Sequence, residues 1–207
     1  VDPSFFDGKL AIGVNQVYKR FPRLPFYVRK EGTPGLQAAL SAVKRSIHVV
    51  AAGSKGSPGN SNVATWLGMG RQRPRNIRFF RHNPCAHRLR ASTLAALRTG
   101  RRAPQLVASY STITSAIHFA AFLGAKNIVL LGHDCGTLDG SANLPKYYTK
   151  ASRPAQKSTA SYVSWLGRIG AHTVTLKAWL KRRYGANVFS LNPFVDFGLE
   201  GHTYTPS

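Results

Sequence analysis

The stretch STITSAIHFAAFLGAKNIVLLGHD, residues 111–134, constrains the fold more than any other part of the chain. Hydroxyl residues suited to cap a helix open it, and Ile113, Ala116, Ile117 and Ala120 then recur at helical spacing. Phe119 and Phe122 extend apolar character almost round the helix, which predicts a buried one over residues 109–125, with Gly124 just past its end. NIVLLG comes immediately after. A continuous apolar run of this kind fits a central strand of a parallel sheet covered on both faces. A buried helix running straight into a buried strand predicts an α/β fold.

The rest of the chain supports that class. KLAIGV (residues 9–14), FYVRK (26–30) and SIHVVAA (46–52) read as strands, as do NIRFF and NVFSL. TPGLQAALSAVKR gives a helix with Pro34 near its start and Leu36, Ala39, Leu40 and Val43 on one face. Residues 53–62, GSKGSPGNSN, are loop-forming and carry neither GxxxxGK[ST] nor GxGxxG, so they make no phosphate cradle by motif. A long helix is expected over residues 158–184, broken near Gly167 or Gly170 and closed by Gly185. The expected architecture is one domain over residues 1–207, a mostly parallel sheet flanked by helices. A basic segment lies within it at 71–102, and residues 193–207 form a tail.

Charge narrows the partners. The chain carries 29 Lys and Arg against 7 Asp and Glu, a net charge of +22. Such a field draws polyanions or phosphate-bearing substrates, and nucleic acid is one such partner. The dense arginines of residues 71–102, with Phe79 and Phe80 among them, are where nucleic-acid contacts would lie. Cys85 and Cys135 make no disulfide framework, there is no apolar run of membrane-spanning length, and VDPSFFDGKL has no signal-peptide pattern. A cytoplasmic location is the expectation. Oligomeric state is not legible.

In α/β sheets ligands gather beyond the carboxyl ends of the strands, which directs attention to Asn15 after AIGV and to His133, Asp134 and Cys135 after NIVLL. Asp134 is suited to a ribose hydroxyl, a shared Mg²⁺ or a nucleophile's proton, a reading its strand-end position favours over simple capping of its own turn. His133, Asp134, Cys135 and Asp139 match no dedicated metal spacing, so no metal ligand is assigned. KYYTK offers Tyr147 and Tyr148 between Lys146 and Lys150, good donors to phosphate oxygens. His172 shares a helical stripe with Trp165, Ile169, Leu176 and Trp179, the usual setting of a buried, hydrogen-bonded histidine. His118 is read as facing out of its helix.

These segments together resemble a known group. AIGVNQVY, then STITSAIHFAAFLGAKNIVLLGHD, is similar to the Rossmann-like superfamily of hydroxymethylpterin diphosphokinase-like proteins and motility accessory factors, and to bacterial sialyltransferases that use a CMP-activated sugar. The likeness runs from about Gly8 to Asp134, weakens through the basic middle, and returns around YYTK and LKAWLKRRYGANVFSLNP. It implies a nucleotide contact for Asn15, a nucleotide-facing helix start at Thr114 and Ser115, and a strand-end acid at Asp134. It further implies phosphate ligation by Tyr147 and Tyr148 and a general base at His172.

The family opens with a strand and a GxGPSL turn, whereas VDPSFFDGKLAIGVN corresponds to the segment downstream of that turn. The chain is therefore expected to be a fragment of a longer reading frame, or a divergent member with an incomplete site. The function implied is a nucleotide-binding, sialyltransferase-like glycosyltransferase whose cofactor is a nucleotide or nucleotide-sugar donor. Two alternatives stand beside it: a diphosphokinase using Mg²⁺ held by Asp134 and Asp139, and a basic nucleic-acid-binding protein on an inactive fold of this type.

Overall fold

A computed structural model describes residues 2–29, 39, 42–52, 75–82, 89–97, 105–107, 109, 111–133 and 159–191. The chain divides into two compact units, residues 1–120 and 121–207.

The first unit is built on a five-stranded sheet: β1 (Ile12–Val14), β2 (Phe26–Arg29), β3 (Ile47–Ala52), β4 (Ile77–His82) and β5 (Gln105–Leu106). Every pairing is parallel, and the strands lie in chain order, β1-β2-β3-β4-β5, with no reversal among them. The register sets Gly13 beside Tyr27 and Tyr27 beside His48. Because side chains alternate along a strand, Tyr27, Arg29, His48 and Val50 share one face. Val28, Val49, Ala51 and Phe80 share the other.

Each face has its own core. On the first, Tyr27 packs with Ala11, Tyr18, Leu24, Ala39 and Val43, and Phe6, Val17 and Phe21 close over them. On the second, Val28, Val49, Ala51, Phe80 and Leu106 meet Ala116 and Phe119 of the helix α2 (Thr112–Phe122). Both faces are thus covered, as the apolar strand sequences require. A short helix, α1 (Ala91–Ala95), precedes β5. Residues 112, 114–118 and 120 of α2 are all buried, so the near-uniform apolar character read from the sequence corresponds to a helix buried almost all round.

The second unit pairs β6 (Asn127–Leu130) with β7 (Asn187–Ser190) in parallel, and α3 (Thr159–Tyr184) connects into β7. Asn127 and Asn187, opposite each other in the register, join side chains at 3.0 Å. The helix α3 runs through Gly167 and Gly170 without a break. A glycine costs ~1 kcal/mol against alanine in a helix interior. The fully buried Thr173, Leu176 and Leu180, with Ile169 a turn before, give this helix a packed face that outweighs that cost. Gly185 ends it at φ 66, with its N–H returned to the Lys181 carbonyl at 3.1 Å. No described helix is long and apolar enough to cross a membrane.

The mixed α/β class with a parallel sheet, expected from the sequence, is what the chain adopts. β5 and α1 fall in stretches where no element is expected from the sequence.

Candidate functional site

The carboxyl ends of β1 and β2 hold the most unusual chemistry of the first unit. Asn15 follows Val14 at a φ of 54, the left-handed region, and is the non-glycine residue there among the described ones. Asparagine tolerates that conformation because its short amide can compensate locally. Both main-chain groups of Asn15 are engaged. Its N–H donates to the Val28 carbonyl at 3.1 Å, and its carbonyl accepts from the Arg29 guanidinium (Nη2) at 2.6 Å. The residue itself is exposed, so its carboxamide stands at the sheet edge facing solvent.

Arg29, the last residue of β2, is only 5% exposed. Its guanidinium lies 5.1 Å from the centre of the Tyr18 ring, and its Nε is buried without a hydrogen-bond partner. No carboxylate of the described residues pairs with it. Burial pulls its pKa below the ordinary arginine value, and Tyr18 partly opposes that. On the same face His48 stacks on Tyr27 with centroids 5.6 Å apart, and its Nε2 lies 3.4 Å from the Val43 carbonyl. Burial, chiefly, and the Arg29 charge hold His48 neutral.

Thr114 and Ser115 sit in the first turns of α2, both fully buried. Thr114 donates to the Ser111 carbonyl at 2.8 Å and accepts from Ser109 at 3.2 Å. Ser115 donates to the Val107 carbonyl at 2.8 Å. Their hydroxyls therefore fasten α2 to the segment after β5, and a ligand at this turn meets main-chain N–H groups rather than these side chains. His118 completes the fastening. It is fully buried, not outward-facing, and its Nδ1 accepts the Val107 N–H at 2.9 Å. In an almost uniformly buried helix no outward face was left for it.

In the second unit His133 follows β6, buried, with its Nε2 at 2.9 Å from Thr173 Oγ1. Thr173 donates to the Ile169 carbonyl at 3.0 Å, so the ring nitrogen must be the donor to Thr173. Burial pushes the His133 pKa down to about 4. His172 is half-buried at the shoulder of the stripe formed by Ile169, Thr173 and Leu176, and desolvation lowers its pKa as well. It is therefore a neutral imidazole at neutral pH, the form a base needs.

Asp134, Tyr147 and Tyr148 lie outside the described residues, as do Cys135 and Asp139. Of the site residues implied by the resemblance, the nucleotide contacts Asn15, Thr114 and Ser115 share the first unit, and the base His172 lies in the second. Among the described residues no three His, Cys, Asp or Glu side chains gather as a metal site. Arg29 had no signal in the sequence beyond its place at a strand end; its burial depends on Tyr18, which arrives from a separate 3-10 turn.

In comparisons with known proteins, no family model, no curated protein and no solved structure matches the chain.

Proposed function

We propose that this chain is a nucleotide-binding transferase of Rossmann-like fold, a glycosyltransferase of the sialyltransferase-like kind that takes its sugar from a nucleotide donor. The observation that carries the reading is Asn15. It leaves β1 in the left-handed conformation at the carboxyl edge of a parallel sheet, with its carboxamide exposed and its main chain locked to β2. Open α/β sheets bind ligands beyond the carboxyl ends of their strands, the end on which Asn15 stands.

In this reading the Asn15 carboxamide orients the nucleotide, and the main-chain N–H groups at the start of α2 face its phosphate. Tyr147 and Tyr148 stabilise the charge that develops on the departing nucleotide. The resemblance gives His172, neutral at working pH, the role of the base that takes the acceptor's proton, and gives Asp134 that of the strand-end carboxylate. The test is a thermal-shift screen against CMP, CDP, ATP and GTP with and without Mg²⁺. A ligand that binds only the folded chain raises its melting temperature. The reading expects a shift with cytidine nucleotides that needs no metal. A shift that appears with ATP and disappears with chelator supports the diphosphokinase alternative.

The net charge of +22 favours one second reading, a nucleic-acid-binding protein. It expects tight binding to DNA or RNA that weakens steeply with salt.

A further inference from the structure

A guanidinium carries five N–H donors and never gives up its charge in practice. Arg29 is 5% exposed, and its partners are few: the Asn15 carbonyl at 2.6 Å, the Tyr18 side chain, which hydrogen-bonds the guanidinium and whose ring centre lies 5.1 Å away, and none for the buried Nε. A buried charge left without an opposite charge is among the most unfavourable things a fold can hold. Proteins tolerate it where an anion completes the site. The described carboxylates of this unit, Asp2 and Asp7, are exposed beside the N-terminal 3-10 turn, and Asp2 is occupied with Ser4. The neighbouring titratable group on the same sheet face, His48, is neutral and supplies no negative charge.

We propose that Arg29 is an anion-binding residue that takes a phosphate group at the carboxyl ends of β1 and β2, with Asn15 beside it. Nε and the remaining Nη donors form the planar fork that matches phosphate oxygens in pairs. The Tyr18 ring holds the guanidinium plane from one side, and the Asn15 carbonyl fixes one Nη. The left-handed turn at Asn15, which asparagine tolerates and a β-branched residue would not, carries the chain away from the strand end. The phosphate is either free or part of a nucleotide. Where it is a nucleotide's, the inference rests on the proposed function and names the group that holds its charge.

The test is a thermal-shift titration with inorganic phosphate, with sulfate and chloride at matched ionic strength as controls. It is run on the wild-type chain, Arg29→Met, Arg29→Lys and Glu31→Gln, with folding checked by circular dichroism. Phosphate is expected to raise the wild-type melting temperature beyond chloride. Arg29→Met should lose that response while melting no lower than wild type without phosphate, since it removes a buried charge that meets no opposite charge among the described residues. Arg29→Lys, which keeps charge but loses the fork, should bind phosphate at least about tenfold more weakly. Glu31→Gln should respond as wild type.

An unaltered phosphate response in Arg29→Met overturns the proposal. So does one in Arg29→Lys if the methionine variant does not fold, or a wild-type chain that ignores phosphate. CMP and cytidine separate this from the nucleotide reading. An Arg29-dependent phosphate shift with no preference for CMP ends that reading and leaves the anion site standing. A CMP shift equal in wild type and Arg29→Met does the opposite.

Discussion

The main-chain N–H of Val107 donates to Nδ1 of His118 at 2.9 Å, across a step from the end of β5 to the middle of α2. Ser115, one turn earlier on the helix, takes the Val107 carbonyl at 2.8 Å. Both main-chain groups of one buried residue after a two-residue strand are thus satisfied by helix side chains, not by a sheet neighbour. A buried N–H left without a partner costs about 1–3 kcal/mol. His118→Phe should lose an amount in that range, read as a lower urea midpoint with unchanged slope. His118→Asn, whose side-chain oxygen can stand in for Nδ1, should recover part of it.

The same bond has a pH consequence. Nδ1 accepts only when the ring is neutral, and burial pushes the His118 pKa down to about 4, as it does for His133. The unfolded chain binds these protons near pH 6.5, so the unfolded state gains protons first as pH falls. Stability is fully present above about pH 6.5 and is lost as pH drops towards 4, by roughly 3 kcal/mol per histidine at the limit. Melting temperatures measured from pH 7.5 to 4.5 should decline over that window. The decline should be shallower in His118→Asn and in His133→Asn, and an unchanged profile in both would contradict the assignment.

Two glycines make opposite predictions. A Cβ at Gly13 would stand 2.5 Å from Cδ1 of Tyr27, a ring fully buried between β1 and its covering turn. Gly13→Ala should therefore cost about 1–3 kcal/mol by overpacking. At Gly167, exposed on α3, a Cβ meets nothing within 4 Å. Gly167→Ala should add about 0.5–1 kcal/mol by restoring helix propensity. Paired chemical denaturation of the two variants checks both signs.

Asn15 separates backbone from side chain. Asn15→Gly keeps the left-handed turn and removes the carboxamide, so stability should change little. Asn15→Val forces a β-branched residue to a φ of 54 and should lose about 1–2 kcal/mol. Thermal melts distinguish the two, and similar losses in both would mean that the carboxamide, not the conformation, carries the stability.

The strands that the sequence reveals are those whose own residues declare them. Ile47–Ala52 is β-branched and apolar, and Asn127–Leu130 is apolar and follows a capped helix. The strand Gln105–Leu106 is invisible, because two residues carry no period and its place is set by β4 and by Ser115 and His118 of α2. The glycines of α3 read as a break because propensity is local, whereas the buried Thr173, Leu176 and Leu180 that hold the helix are a tertiary fact. At the site, Asn15 was legible as a strand-end polar residue, but its backbone conformation was not. Nothing in FYVRK sets Arg29 apart from the chain's other cations. Only the arrival of Tyr18 over its guanidinium turns it into a buried cation.

Nucleotide binding through Asn15 at the carboxyl edge of the first sheet is tested most directly by calorimetric titration of CMP into the wild-type chain and into Asn15→Gly. Saturable binding by the wild type and clearly weaker binding by the glycine variant are predicted, with equal melting temperatures in the absence of ligand. Equal CMP affinity in the two chains, or no CMP binding by a wild-type chain that binds DNA or RNA, would contradict it.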